Sequence, residues 1–502
     1  MNIQKFVTPI MRYRNWRWPI AVGICLCLLG SMLIVNAHAA NPLASVPAVL
    51  NAPTHIGGAS GRGDARDIDT YAVAAYDPTT KRYLVVWLSA RHASSSSSGF
   101  DVYGRLLDRY GRPLDQEFRI SDRSTAARGA LPSVAAGNGS FAVAWSVRGR
   151  NCTVALQPVH TATNSRDIVL LSGETSYHSP HMQYDTVRRQ FVLVAVAGTD
   201  YLPPALGGAN TADCGNDRTS TSRIVAQSFT LSSAGEVEIL HEQVISPAVG
   251  AFRPHLALHP AQNHYMVVWE DRRESDAAYA LAVYGQRLTP NLVAVGDNVV
   301  LAATQDYENK DANTTWTARP RVAASATGFL SVWFEREGEV AEPLWSTKGR
   351  TMASNGTLAE PFEIDMVAFT DPRFDQTPTG FLDVVFVPGD NEYVVGNATF
   401  AERPWGLFSE IRLQRVAANG RLLRFRDGAT TATPDNGLLD TAHQDRVGIS
   451  LASAEDSEIL AVYSKPSAAA RHGQSFDIWH VRGALGAPPQ QPSAVYLPLV
   501  RR

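Results

Sequence analysis

Beyond residue 40 the apolar positions fall in short runs bounded by Gly, Asn, Asp and Ser. No long segment keeps them at the 3.6-residue spacing of a helix face, so the pattern predicts β-strands. The runs recur in a fixed order: an apolar strand, a short turn, an aromatic-led strand ending in Trp, a variable loop, then a hairpin. In the clearest copy these are Ala72 to Asp77, Tyr83-Leu84-Val85-Val86-Trp87, Asp101 to Asp108, a turn at Tyr110-Gly111, and Phe118 to Ser121. The fourth copy repeats it with Pro254 to Ala257, Tyr265-Met266-Val267-Val268-Trp269 and Val283 to Leu288. The second and fifth hold Phe141 to Trp145 and Phe329 to Trp333, each after a Pro-led strand at Pro132 or Pro320. Three more copies, at Phe191 to Val196, Tyr393 to Asn397 and Ile459 to Tyr463, lack the Trp.

Seven copies between Trp87 and Tyr463 give a repeat of about 63 residues, longer than the roughly 40 to 50 of common propeller repeats, the surplus being loop. A four-stranded meander cannot bury both faces alone and leaves two edges open. The expected fold is therefore an all-β propeller of seven four-stranded blades over residues 40–484. A solenoid or a pair of smaller β-domains is the competing arrangement. The seventh copy stops one strand short, after Asp477 to Arg482, while Ser45 to Ile56 precede the first copy without a repeat of their own. The N-terminal segment is thus expected to supply the missing strand and close the ring.

In an antiparallel meander the loops between second and third strands share one end with the links to the next blade. Those segments are the long ones here: Ser89 to Phe100, Gly198 to Ser222, Glu270 to Ala280, Gly396 to Ser409, and the link Thr304 to Ala318. Loops of this kind carry function on rigid scaffolds. The same face is expected to hold Asp306, Glu308 and the aromatics Tyr201, Tyr307, Trp316, Trp345 and Trp405, which are the candidate ligand contacts because aromatic faces stack on sugar rings.

The first 39 residues change the compartment. Lys5, Arg12, Arg14 and Arg17 precede an apolar run from Pro19 to Val35 and an Ala37-His38-Ala39 cleavage pattern, the layout of a signal peptide. An uncleaved anchor is the rival, at the short limit of a membrane span. Removal leaves 41 basic against 48 acidic side chains, which excludes a basic nucleic-acid footprint. It also leaves Cys152 and Cys214 as the one pair in an oxidising compartment, expected as a disulfide closing about 60 residues, worth roughly 4 kcal/mol by loop entropy. A monomer with no cofactor is expected.

The remaining motifs are weak. His255 and His259 lie four apart on a strand, about 13 Å, too far to chelate one ion, so no metal site is expected. Asp64, Asp67 and Asp69 lack calcium-loop spacing. Arg62-Gly63-Asp64 is a tripeptide of chance frequency. Glu270-Asp271-Arg272-Arg273 and Glu335-Arg336-Glu337 are the best carboxylate clusters for glycosidic acid-base chemistry, although such runs more often end loops as ion pairs. No catalytic residue is assigned. Sequons stand at Asn138, Asn151, Asn313, Asn355 and Asn397.

With Tyr83-Leu-Val-Val-Trp87 and Asp101-Val-Tyr-Gly-Arg105, residues 70–485 resemble secreted bacterial propeller-like repeat proteins, which are similar in outline to sialidase-type propellers. The chain has no Ser-x-Asp-x-Gly-x-x-Trp box and no arginine triad evident in sequence, so the resemblance implies the fold and not sialic acid hydrolysis. The tail 485–502, ending Val495-Tyr-Leu-Pro-Leu-Val500-Arg-Arg, resembles the sorting tails of exported bacterial proteins and is too short to span a membrane. The leading expectation is an exported, non-catalytic binding propeller that presents its loop face to a glycan or an envelope protein. The alternatives are a secreted polysaccharide hydrolase and a structural envelope protein.

Overall fold

The computed structural model describes residues 49–484 except 51–53, 58–68, 92–99, 123–131, 148–152, 161–167, 172–176, 199–221, 233–235, 247–249, 260–263, 274–281, 304–316, 338–343, 369–380, 404–405, 424–436, 444–447, 456 and 467–475. Among the described residues every regular element is a strand, and the strands form seven antiparallel sheets in sequence order. Their first strands are Asp69–Asp77, Ser133–Gly137, Tyr177–Asp185, Ala251–His259, Thr317–Ala324, Phe381–Val387 and Ile449–Ser453. Each touches the first strand of the next blade, and the last returns to Asp69–Asp77. The seven blades thus close around an axis lined by these inner strands.

The ring closes as the sequence predicts. The seventh sheet has three strands of its own, Ile449–Ser453, Glu458–Pro466 and Phe476–Ala484. Val49–Leu50 and Thr54–Gly57 pair antiparallel with the third of them. Ile56 is fully buried in the seam, packed with Trp87 and Leu107 of the first blade and Val462 and Ile478 of the last. Arg105 adds a hydrogen bond to the Ile56 carbonyl.

The core consists of seven apolar layers, each between two neighbouring blades. Strands buried on both faces explain the continuous apolar runs, such as Arg82–Ser89, where only Arg82 is exposed. The strand-ending residues Trp87, Trp145, Trp269 and Trp333 are all buried. A buried indole N–H needs an acceptor, and Asp69, Asp271 and Glu335 accept from Trp87, Trp269 and Trp333 at 3.1, 2.8 and 2.9 Å. Arg91 and Arg273 then neutralise Asp69 and Asp271 and lie over Tyr103 and Tyr284. These are the tyrosines of the Val-Tyr-Gly repeat, and its glycine is a packing requirement. A Cβ on Gly104 would stand 2.8 Å from Ile120 Cδ1.

Two details differ from the sequence reading. The expected loop Gly396 to Ser409 is largely strand: Glu392–Arg403 and Gly406–Ala417 pair along their whole length to the rung Arg403–Gly406. Trp345, expected on a loop, lies within the strand Leu344–Ala353. In both blades the second and third strands keep pairing further toward the loop end than in the other copies.

Candidate functional site

Four inner strands carry the same irregularity near their first residues. The pairing with the second strand slips between Thr70 and Val73, His178 and His181, Phe252 and His255, and Ala318 and Arg321. At each slip one non-glycine residue takes a left-handed backbone: Tyr71 at φ 57°, Ser179 at 53°, Arg253 at 47° and Arg319 at 56°. Pro180, Pro254 and Pro320 follow three of them, as an edge-strand bulge allows, because no ladder N–H is needed there. Such conformations cost of order 1 to 3 kcal/mol each and collect where function requires them. All four residues line one axial cavity of roughly 520 Å³. Their position near the start of the inner strands puts them at the end shared with the blade links and long loops.

Below the bulges the inner strands are tied blade to blade by one repeated contact. Ser133 Oγ accepts the Met182 N–H at 2.9 Å, His181 Nδ1 that of Leu256 at 3.1 Å, His255 Nδ1 that of Val322 at 3.2 Å, and Asp383 Oδ2 that of Leu451 at 2.7 Å. A backbone N–H can only donate, so each histidine carries its proton on Nε2. The two rings stack with centroids 3.7 Å apart. Burial, with help from Arg321, holds both neutral: His181 is pushed down to about 3 and His255 well below its ordinary value. Neither ring can offer a lone pair to a metal while these contacts hold.

The charged groups of the cavity come from the fourth to sixth blades. Arg253 Nη1 donates to both oxygens of Glu270 at 2.8 and 2.9 Å. The backbone N–H of Arg319 donates to Glu270 Oε1 at 2.6 Å. One buried carboxylate therefore fixes two strained bulges. Arg319 itself is 6% exposed, its guanidinium lies 4.8 Å above the Phe381 ring, and its Nε has no hydrogen-bond partner. Burial and the neighbouring Arg253 push it down to about 9, still cationic at neutral pH. Arg321 gains from Asp383 and donates to the Pro320 carbonyl at 2.9 Å. The Asp383 carboxyl is raised above its ordinary value because burial outweighs Arg321 and the N–H donors Leu451 and Val384. At the mouth Tyr71 packs on Phe381, with centroids 5.5 Å apart.

This cluster revises several sequence expectations. Arg253, Arg319 and Arg321, dispersed in the chain, line one cavity. Glu270, a candidate acid or base, is 1% exposed and committed to Arg253 and Arg319. Asp271 and Glu335 serve as indole acceptors. His255 lines the cavity, whereas His259 lies at the other end of its strand, 5.4 Å from the Phe329 ring. Trp316, Trp405, Tyr201, Asp306, Tyr307, Glu308, Asp64, Asp67, Cys152 and Cys214 lie outside the described residues, as do residues 1–39 and the tail 485–502. Among the described residues no helix is long and apolar enough to cross a membrane, and no His, Cys, Asp and Glu group forms a metal cluster. The missed signal is the tripeptide Ser179-Pro-His, Arg253-Pro-His and Arg319-Pro-Arg, repeated where three inner strands begin.

No protein-family model matches the chain, and no curated protein matches it. Solved structures similar to it include the Trypanosoma rangeli sialidase, at 9% identity and TM-score 0.40, over 75% of this chain and 56% of that one. A leech intramolecular trans-sialidase is similar at 8% identity and TM-score 0.41, over 79% of this chain and 82% of that one. The Pseudomonas aeruginosa periplasmic gluconolactonase is similar at 11% identity and TM-score 0.42, over 79% and 98%. The chain spans about half the length of the Trypanosoma protein. The expectation of a non-catalytic binding module is corrected here: the similar structures are named as a sialidase, a trans-sialidase and a gluconolactonase, and charged groups among the described residues converge on the axial cavity.

Proposed function

We propose that the protein is an exported glycan-processing hydrolase whose active site is the axial cavity, with Asp383 as proton donor. The observation that carries the reading is a carboxyl held toward its protonated form in the wall of a cavity built by strained residues. The Asp383 oxygens accept the N–H groups of Val384 and Leu451 and bond the Ser450 hydroxyl, and the lone-pair position left over can hold a proton that passes to a glycosidic oxygen. Cleavage of that bond releases the leaving sugar, water entering through the mouth attacks the anomeric carbon, and the proton this water loses returns Asp383 to its acid form. A raised pKa is what a general acid near neutrality requires. Tyr71 lines the cavity and offers an aromatic ring for a sugar, and a cavity of roughly 520 Å³ lies within the range of small-molecule sites.

Export follows from the signal pattern of residues 1–39, and N-terminal sequencing of the mature protein is expected to begin at Ala40. The function is tested by incubating the intact protein with a panel of polysaccharides and reading new chain ends by mass spectrometry. Asp383→Asn keeps the shape and removes the proton, so cleavage falls by at least about 100-fold. Undiminished cleavage by the variant, or none by the wild type on any polysaccharide, overturns the assignment.

A further inference from the structure

The charges of the cavity do not balance within the protein. Arg253 is taken by Glu270, and Arg321 donates to the Pro320 carbonyl. Arg319 remains. Among the described residues its guanidinium forms no hydrogen bond or ion pair, its Nε is unpartnered, and the carboxylate that favours its charge, Glu270, is already bonded to Arg253. An unpaired charge in a site 94% removed from solvent is a large desolvation cost, and its strained backbone adds to it. The fold nevertheless secures the residue through the Glu270 bond to its N–H. A purely structural role does not account for this, because an apolar side chain would cover Phe381 without the desolvation cost.

We infer that the cavity binds a substrate carrying a carboxylate, a hexuronate unit of an acidic polysaccharide, and that Arg319 receives that carboxylate. The inference rests on the reading of the cavity as a glycan-processing site and names its substrate class. The planar guanidinium fork of Arg319 fits two carboxylate oxygens in parallel. The Nε2–H groups assigned to His181 and His255 are neutral donors suited to sugar hydroxyls, so they do not compete with Arg319 for the anion.

The test is calorimetric titration of the full chain with trigalacturonate, with the neutral galactose trisaccharide of the same linkage, and with sodium sulfate and phosphate. Trigalacturonate is expected to bind at least about tenfold more tightly than the neutral sugar. Arg319→Met is expected to erase that preference while the free variant melts no lower than wild type, because an unpaired buried charge has been removed. Equal affinity for both sugars, a preference that survives Arg319→Met, or phosphate competing as well as the uronate each overturns the inference. If the Met variant does not fold, Arg319→Lys decides: it keeps the charge and loses the fork, so most of the preference must disappear. Uronate binding without cleavage sinks the hydrolase reading alone, whereas cleavage of neutral glycans without uronate preference sinks this inference alone.

Discussion

Lowering the pH from 7 to 5 should destabilise the propeller through histidines buried without an anionic partner. His178 and His480 are 2% and 4% exposed, and burial alone pushes each down to about 4. In the unfolded chain a histidine titrates near 6.5. The unfolded state therefore binds more protons than the folded one throughout this window, and stability falls as the pH drops from about 6.5 toward 4. For one such group the loss at pH 5 is about 2 kcal/mol. Asp69, Asp383 and Glu392, raised by burial, act in the opposite direction by taking up protons in the fold, so the wild-type curve alone is ambiguous. The decisive quantity is the difference from His480→Gln, which does not titrate. Urea midpoints at pH 7 and pH 5 should show the wild type losing about 2 kcal/mol more than the variant, and His178→Gln should behave alike. Identical pH dependence in wild type and both variants would refute the reasoning.

Three further perturbations address the scaffold. Ile56→Ala opens the fully buried seam between the first and last blades and should cost about 2 to 5 kcal/mol in urea unfolding. A cost below about 0.5 kcal/mol would mean that the N-terminal strand does not close the ring. Asp271→Ala leaves the Trp269 indole and Arg273 without their acceptor and should cost about 3 to 5 kcal/mol, with Asp271→Asn milder because it still accepts the indole proton. Gly104→Ala pushes a methyl against Ile120 and should cost about 1 to 3 kcal/mol by overpacking, whereas an unchanged melting temperature would count against the packing described.

Most of the scaffold was legible in the chain, because seven repeats of a short apolar period and an unpaired N-terminal segment leave few ways to bury edges. Trp87, Trp145, Trp269 and Trp333 announced the blades since each must fill the space between two of them. The site was not legible. Its residues are single positions from separate blades, and a left-handed bulge at Tyr71 or Arg319 leaves no periodic trace. Acidic residues after the Trp strands looked like acid-base candidates, yet Asp271 and Glu335 are there to satisfy indoles buried two residues earlier. Aromatic loop residues drew attention by composition, while the groups that share a cavity are brought together by the ring.

The central claim is that chemistry takes place on the axis and not on the loop face. Cleavage rates of Asp383→Asn and Trp345→Ala, measured side by side with wild type on any polysaccharide the protein degrades, test it most directly. The account predicts that Asp383→Asn is slowed at least about 100-fold while Trp345→Ala stays within a few-fold of wild type. A variant at Asp383 that cleaves normally, beside one at Trp345 that does not, would contradict it.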